Sequence, residues 1–227
     1  MILNATALWN SLEFAQEVGL RAANSYFAYY SVLSLLRGVV FMLPNAREGD
    51  LPGLMAMSHT ATINLAYDWL AHIDQGAAKR LKHATQRLKA ERELIAYKAP
   101  ASADLNIEFV PNLLEILIPL AELAQFTSEI LEASLAKHAT SASFQVLEKH
   151  ILSIAVVDID GFVFEDRDDL VRLDYVRRKI CRPYEISSFM HKGLVEDFFG
   201  SWDGDEEKGE QFTNGGPSNW IAIFDVP

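Results

Sequence analysis

Thiol chemistry is nearly absent from this sequence: Cys181 is the one cysteine among 227 residues. No disulfide can close within a single chain. That sets aside the stapled secreted scaffolds and fits a reducing compartment, so a cytoplasmic location is expected. The opening run MILNATALWNSLE lacks a basic stretch and reaches Glu13 before any long apolar segment, so it does not read as a secretory leader. No uninterrupted membrane-length run occurs either. Residues 26–43 come nearest, but Arg37 lies inside them and the flanks carry no positive bias; 110–126 contains Glu115, Pro119 and Glu122. No membrane association is expected. Also missing are a glycine-rich phosphate loop after a strand, a nucleophile–base pattern, a His-x-x-x-His or Glu-x-x-His pair, and any internal repeat. No metal and no cofactor is expected.

What is present is apolar mass. Half the chain is hydrophobic, with 13 Phe, 7 Tyr and 4 Trp, enough for a sizeable core. The formal charge of −11 is placed unevenly. Residues 1–155 carry 15 acids against 12 bases, whereas 156–227 carry 16 against 8. The acidic C-terminal third argues against nucleic acid there and suits a basic protein partner, while the N-terminal part is left free to bind locally through a basic face.

Residues 20–43 read as one helix that is apolar nearly all round, the kind that lies inside a bundle and needs neighbours to cover it. Its start is aromatic (Tyr26, Phe27, Tyr29, Tyr30). Asn24, Ser31 and Gly38 recur every seven residues with Ser34 beside them, giving one small, weakly polar face where a second helix, internal or from a twin chain, can approach closely. Before it, a helix is expected over 6–18, capped by Asn4 or Thr6, stopped by Gly19, and buried through Leu8, Leu12, Ala15 and Trp9. After the loop 45–53, Ser58 caps a helix over 59–74 and Gly76 breaks it. Another helix follows over 77–98, with Leu81, Leu88 and Ile95 buried. Helices at 111–125 and 128–138 complete a mainly α antiparallel bundle over 1–140. Beyond it, 141–199 reads as an addition made of a hairpin at 152–165, turned at Asp160-Gly161, and helices at 168–180 and 184–199. Residues 200–227 form an acidic tail ending in a candidate edge strand, WIAIFDVP.

Three motifs invite chemistry. Asp158-Ile159-Asp160-Gly161 behind an apolar run is similar to the first motif of haloacid-dehalogenase-type phosphatases. Only 67 residues follow Asp160, and they do not alternate strand and helix, so a hairpin turn is the better account. Asp68 and His72 share a helix face at i,i+4, a spacing a metal can use, but they read first as a hydrogen-bonded surface pair. The helix 77–98 is the richest. Arg80, His83 and Arg87 share a face, and Lys79, Lys82, Lys89 and Arg92 join them. Residues 79–98 carry seven bases against Glu91 and Glu93. An Arg–His pair can cleave RNA without metal: the histidine takes the 2′-hydroxyl proton and the arginine stabilises charge on the phosphate. The other lysines and Arg92 would hold the backbone. The plainer reading is a solvated helix with an Arg87–Glu91 i,i+4 pair.

The run Arg21-Ala22-Ala23-Asn24-Ser25-Tyr26-Phe27-Ala28-Tyr29-Tyr30, continued by Leu35-Leu36-Arg37-Gly38, resembles the second helix of HEPN-type domains, and Ser58-His59-Thr60 is similar to the opening of their next helix. The resemblance covers about residues 5–100. It implies an antiparallel helical bundle, often dimeric, frequent in prokaryotic defence and toxin–antitoxin systems, and often acting on RNA. The ribonuclease members carry an Arg, four to six intervening residues and a His. Here Arg80 and His83 are separated by two residues and Arg182 and His191 by eight, so no catalytic residue transfers by motif. Two functions stay open: a non-catalytic subunit binding a protein partner through the acidic C-terminal part, and an RNA-binding or RNA-cleaving effector using helix 77–98, metal-independent if enzymatic.

Overall fold

Helix α1 (Ile2–Glu17) begins four residues earlier than its polar side chains suggest. Thr6 caps nothing. It is buried, and its hydroxyl donates back to the Ile2 carbonyl at 3.1 Å, a bond that lets threonine sit inside a helix. Trp9, Leu12 and Ala15 are buried on one stripe. The end falls at Gly19, whose φ of +74° places it in the left-handed region. There the Leu20 N–H reaches the Ala15 carbonyl at 2.7 Å and the Gly19 N–H reaches that of Gln16 at 3.2 Å, the doubly bonded stop that glycine permits.

The computed structural model describes residues 1–44, 53–54, 56–98, 112–138, 151–152, 155–167, 170 and 174. The helices expected over 168–180 and 184–199, the acidic tail and its edge strand lie outside the described residues, apart from isolated positions. Described residues up to Thr127 belong to one compact unit and those from Ser128 to a second.

In the first unit, α2 (Arg21–Phe41) is covered by α1, α3 (His59–Ala71) and α4 (Gln75–Lys98). Its small face meets α1. The Asn4 amide donates to the Ser34 hydroxyl at 2.8 Å, and a Cβ placed on Gly38 would lie 3.8 Å from the Met1 Cβ. Ser31 is fully buried and satisfies itself on the Ala28 carbonyl, while the buried Asn24 Oδ1 has no hydrogen-bond partner. Between α3 and α4 the chain turns at 72–74 rather than at Gly76. The Asp74 carboxylate accepts from the Ala77 N–H at 2.9 Å and so caps α4, with Gly76 inside its first turn. Tyr67 and Thr85 tie the two helices by a buried hydroxyl pair at 2.6 Å.

Helix α5 (Leu114–His138) is continuous where two helices were expected, and Pro119 lies within it. No glycine or proline stands at 126–128 to stop it. Thr127, buried, donates to the Leu123 carbonyl at 2.7 Å and accepts from the Trp69 indole of α3 at 3.3 Å. Ile116, Leu117, Leu120 and Ala124 form its buried stripe, with Leu113 buried just before it.

In the second unit, β1 (Val156–Ile159) and β2 (Phe162–Glu165) pair antiparallel, Val156 opposite Glu165 and Ile159 opposite Phe162. Asp160 and Gly161 turn the hairpin with φ of +54° and +86°, both positive as a two-residue hairpin turn requires. The Asp158 carboxylate accepts from the Gly161 N–H at 2.9 Å and braces the turn. The molecule is therefore mainly α with a small β-hairpin, and the Asp158-Ile159-Asp160-Gly161 motif is that hairpin's turn. Among the described residues no helix is long and apolar enough to cross a membrane.

Candidate anion-binding site

Helix α4 does not present one continuous basic surface. Lys79, Arg80 and His83 are exposed. Lys82 lies 3.6 Å from the Asp68 carboxylate, and Arg87 donates to Glu91 at 3.1 Å, the expected i,i+4 pair. Burial pushes the Glu91 carboxyl upward, against the favourable Arg87 contact. Arg80, His83 and Arg87 share a face, as their spacing requires. Asp68 and His72 are not a side-chain pair: His72 Nδ1 donates to the Asp68 backbone carbonyl at 2.7 Å. Among the described residues no group of three or more His, Cys, Asp or Glu side chains is arranged to hold a metal ion.

Lys89 and Arg92 behave differently. Ala78, Thr85, Leu88 and Arg92 lie along the buried side of α4, so Arg92 occupies a place on the stripe where an apolar residue is the rule. Its residue is 7 % exposed. The guanidinium stands 5.3 Å from the Tyr29 ring centre, 5.7 Å from Tyr30 and 5.9 Å from Tyr97, and its Nε has no hydrogen-bond partner. Three residues earlier, Lys89 crosses to α3 and donates to the Thr60 hydroxyl at 2.8 Å, with the Glu93 carboxylate 3.7 Å away.

Two further elements complete the group. The start of α3 is capped by the Ser58 hydroxyl, which accepts from the Ala61 N–H, and His59 is the first helical residue. His59 Nδ1 lies 3.0 Å from the Tyr29 hydroxyl, and its ring centre stands 5.7 Å from Tyr29 and 5.9 Å from Tyr30. His59 and Arg92 thus share the same two tyrosines. From α2, Arg37 follows Tyr30 by seven residues, on the same helix face, and its Nε is likewise buried without a partner.

The electrostatics follow from that crowding. His59 is held below the ordinary histidine value, first by burial and then by the charges of Arg37, Arg92 and Lys89. Its imidazole is therefore neutral near pH 7. Tyr29 is pushed up to about 12 by burial, with Arg92 opposing, so its phenol keeps its proton. The direction of the Tyr29–His59 hydrogen bond follows the imidazole tautomer; where Nδ1–H donates to the Tyr29 oxygen, Nε2 keeps a free lone pair. Neither Arg37 nor Arg92 has an ion-pair partner among the described residues; Glu93 stands 3.7 Å from Lys89 and also acts on His59, raising it against the cations. Buried charges in proteins are ordinarily paired. Among the described residues no carboxylate pairs with Arg37 or Arg92.

The residues that build the site are those of the aromatic start of α2 and of Ser58-His59-Thr60. Charge spacing along α4 points to none of Tyr29, Tyr30, His59 and Arg37 and groups Arg92 with the outer lysines. The available signal was register: Arg92 lies four residues after Leu88 and three before Ile95, on the apolar stripe. Comparison with family models, with curated proteins and with solved structures gave no match to this chain.

Proposed function

We propose that the chain is an RNA-binding, HEPN-like helical domain that holds a phosphate at Arg92 and Arg37, beside the N-terminus of α3, and not on the outer face of Arg80, His83 and Arg87. One observation carries the reading: two guanidinium Nε atoms are buried and unpartnered, and both arginines act on His59, the first residue of α3, where Lys89 also reaches across to Thr60. A helix start offers free N–H groups and a partial positive charge to an anion, and guanidinium matches phosphate oxygens two at a time. The proposed RNA ligand comes from the resemblance to HEPN-type domains; the phosphate-like charge comes from the site. A neutral imidazole next to arginine is also the equipment metal-free RNA cleavage needs, with His59 as the base and Arg92 as the charge stabiliser.

The test is binding and cleavage of single-stranded RNA by the wild type, Arg92→Met and His59→Gln. Arg92→Met is expected to weaken binding by about 10- to 150-fold, and His59→Gln to remove any cleavage while leaving most of the binding. Wild-type affinity in Arg92→Met, or no RNA association by the wild type, overturns the proposal.

A second reading, a partner-binding subunit of a defence or toxin–antitoxin type assembly, has its own support in the hairpin. Ile159, Phe162, Val163 and Phe164 are all exposed, Phe162 to 70 %. They stand among Asp158, Asp160, Glu165 and Asp166, which suits a basic partner with an apolar patch. Phe162→Ser with Phe164→Ser is expected to release a co-purifying protein and leave the bundle's helical signal intact. A wild type that purifies without any such protein counts against this reading, as does a homodimer that the double variant does not disturb.

A further inference from the structure

Resting on the phosphate site above, we propose that its ligand is the phosphomonoester end of a single strand, with the terminal base stacked on Tyr97, and not an internal phosphodiester. The first ground is charge. Lys89 is answered by Glu93, which leaves the two guanidinium charges of Arg37 and Arg92 without a counterion among the described residues. An internal phosphate brings one negative charge, whereas a terminal phosphate brings close to two and three acceptor oxygens. Two fixed cations, the N–H groups at the start of α3 and the His59 imidazole match the second set.

The second ground is access. With 7 % of its surface exposed, Arg92 is recessed behind the tyrosine rings. An internal phosphate is flanked by nucleosides on both sides and needs an open groove, while a chain end needs room on one side only. The third ground is the rim. Tyr97 is 74 % exposed, yet its ring centre is 5.9 Å from the Arg92 guanidinium, so one side of an aromatic ring beside the buried cation faces solvent. Bases stack on such rings irrespective of sequence. Tyr26 and Tyr30, stacked at 6.5 Å and 15°, extend aromatic surface along α2 beyond the cluster.

The experiment compares one short single-stranded RNA in three forms, with a 5′-phosphate, with a 3′-phosphate and with hydroxyls at both ends, by fluorescence anisotropy on the full chain. A nucleoside monophosphate and inorganic phosphate serve as competitors. A phosphate on one end is expected to tighten binding on the order of tenfold or more, as charge-assisted contacts do. The monophosphate is expected to compete better than inorganic phosphate, and Tyr97→Ala to erase that difference. Equal affinity for the three strands, still dependent on Arg92, overturns the chain-end proposal and leaves RNA binding standing. No binding of any strand overturns both. Competition unaffected by Tyr97→Ala refutes the stacking role. Should Arg92→Met fail to fold, Arg37→Met is the substitute and is expected to reduce the preference for the phosphorylated end; an undiminished preference counts against the proposal.

Discussion

Arg92→Met separates a ligand-binding arginine from a structural one. In the folded chain the guanidinium has three tyrosine rings within 5.9 Å and no carboxylate partner among the described residues. Cation–π contacts contribute about 0.5–2 kcal/mol each, while withdrawing a charge from water costs several kcal/mol per ion. The two roughly cancel. Methionine keeps the length of the stem, and its sulfur packs well against aromatic rings. The ligand-free variant is therefore expected to unfold in urea within about 1 kcal/mol of the wild type, on either side. Binding is a different matter, because the lost charge-assisted hydrogen bonds carry roughly 1.5–3 kcal/mol, or about 10- to 150-fold in affinity for an anionic ligand. Urea melts and a phosphate or RNA titration on the same preparations read both quantities. Destabilisation beyond roughly 3 kcal/mol together with unchanged anion affinity would refute the reasoning, since it would make Arg92 a core residue.

Other expectations concern the scaffold and the pH response. Tyr67→Phe strips the Thr85 hydroxyl of its 2.6 Å partner in a buried setting and is expected to cost about 1–2 kcal/mol. Adding Thr85→Val should recover part of it, and a strictly additive double-mutant cycle by chemical denaturation would show that the pair is not coupled. Gly38→Ala is expected to stabilise by up to about 1 kcal/mol from helix propensity, because the new Cβ meets the Met1 Cβ at an ordinary 3.8 Å; a fall in thermal midpoint would mean that α1 needs the glycine. For His59, the folded value lies below the unfolded one, so stability is full above about pH 6.5 and declines as pH falls from there through the folded value. Arg37, Lys89, Arg92, Glu93 and Tyr29 act on that titration, and His59→Gln should flatten this part of the pH–stability curve; a slope that persists in the variant places its origin in another group.

The helices could be read from the sequence because the residues that make them act locally. Gly19 stops α1, Ser58 caps α3, and Asp160-Gly161 turns a hairpin; each does so through a local property, a side-chain cap or a tolerance of positive φ, that the residue type itself supplies. Misreadings arose where a side chain has two local uses. Thr6 can cap a helix or bond back inside one, and burial against a neighbour decides between the two. The site was harder to see because it is assembled from three helices. Charge spacing along α4 singles out Arg80, His83 and Arg87, which remain on one helix. Arg92 gains its character from Tyr29, 63 residues away in the chain, and His59 from the same tyrosine. A cation on an apolar stripe was the one mark of this in the sequence, and only its register distinguishes it from the lysines around it.

The unanswered positive charge around His59 is tested most directly by titrating its imidazole by NMR, without and with saturating sulfate, an anion that does not itself titrate in this range. In the free protein the imidazole should titrate below the ordinary histidine value, as burial and the neighbouring Arg37, Arg92 and Lys89 require. With sulfate bound it should move upward, because the anion offsets those cations, and sulfate should bind more tightly as the pH is lowered through that range. An imidazole that titrates at the same pH with and without sulfate, in a protein that stays folded throughout, would contradict an anion site at Arg37, His59 and Arg92.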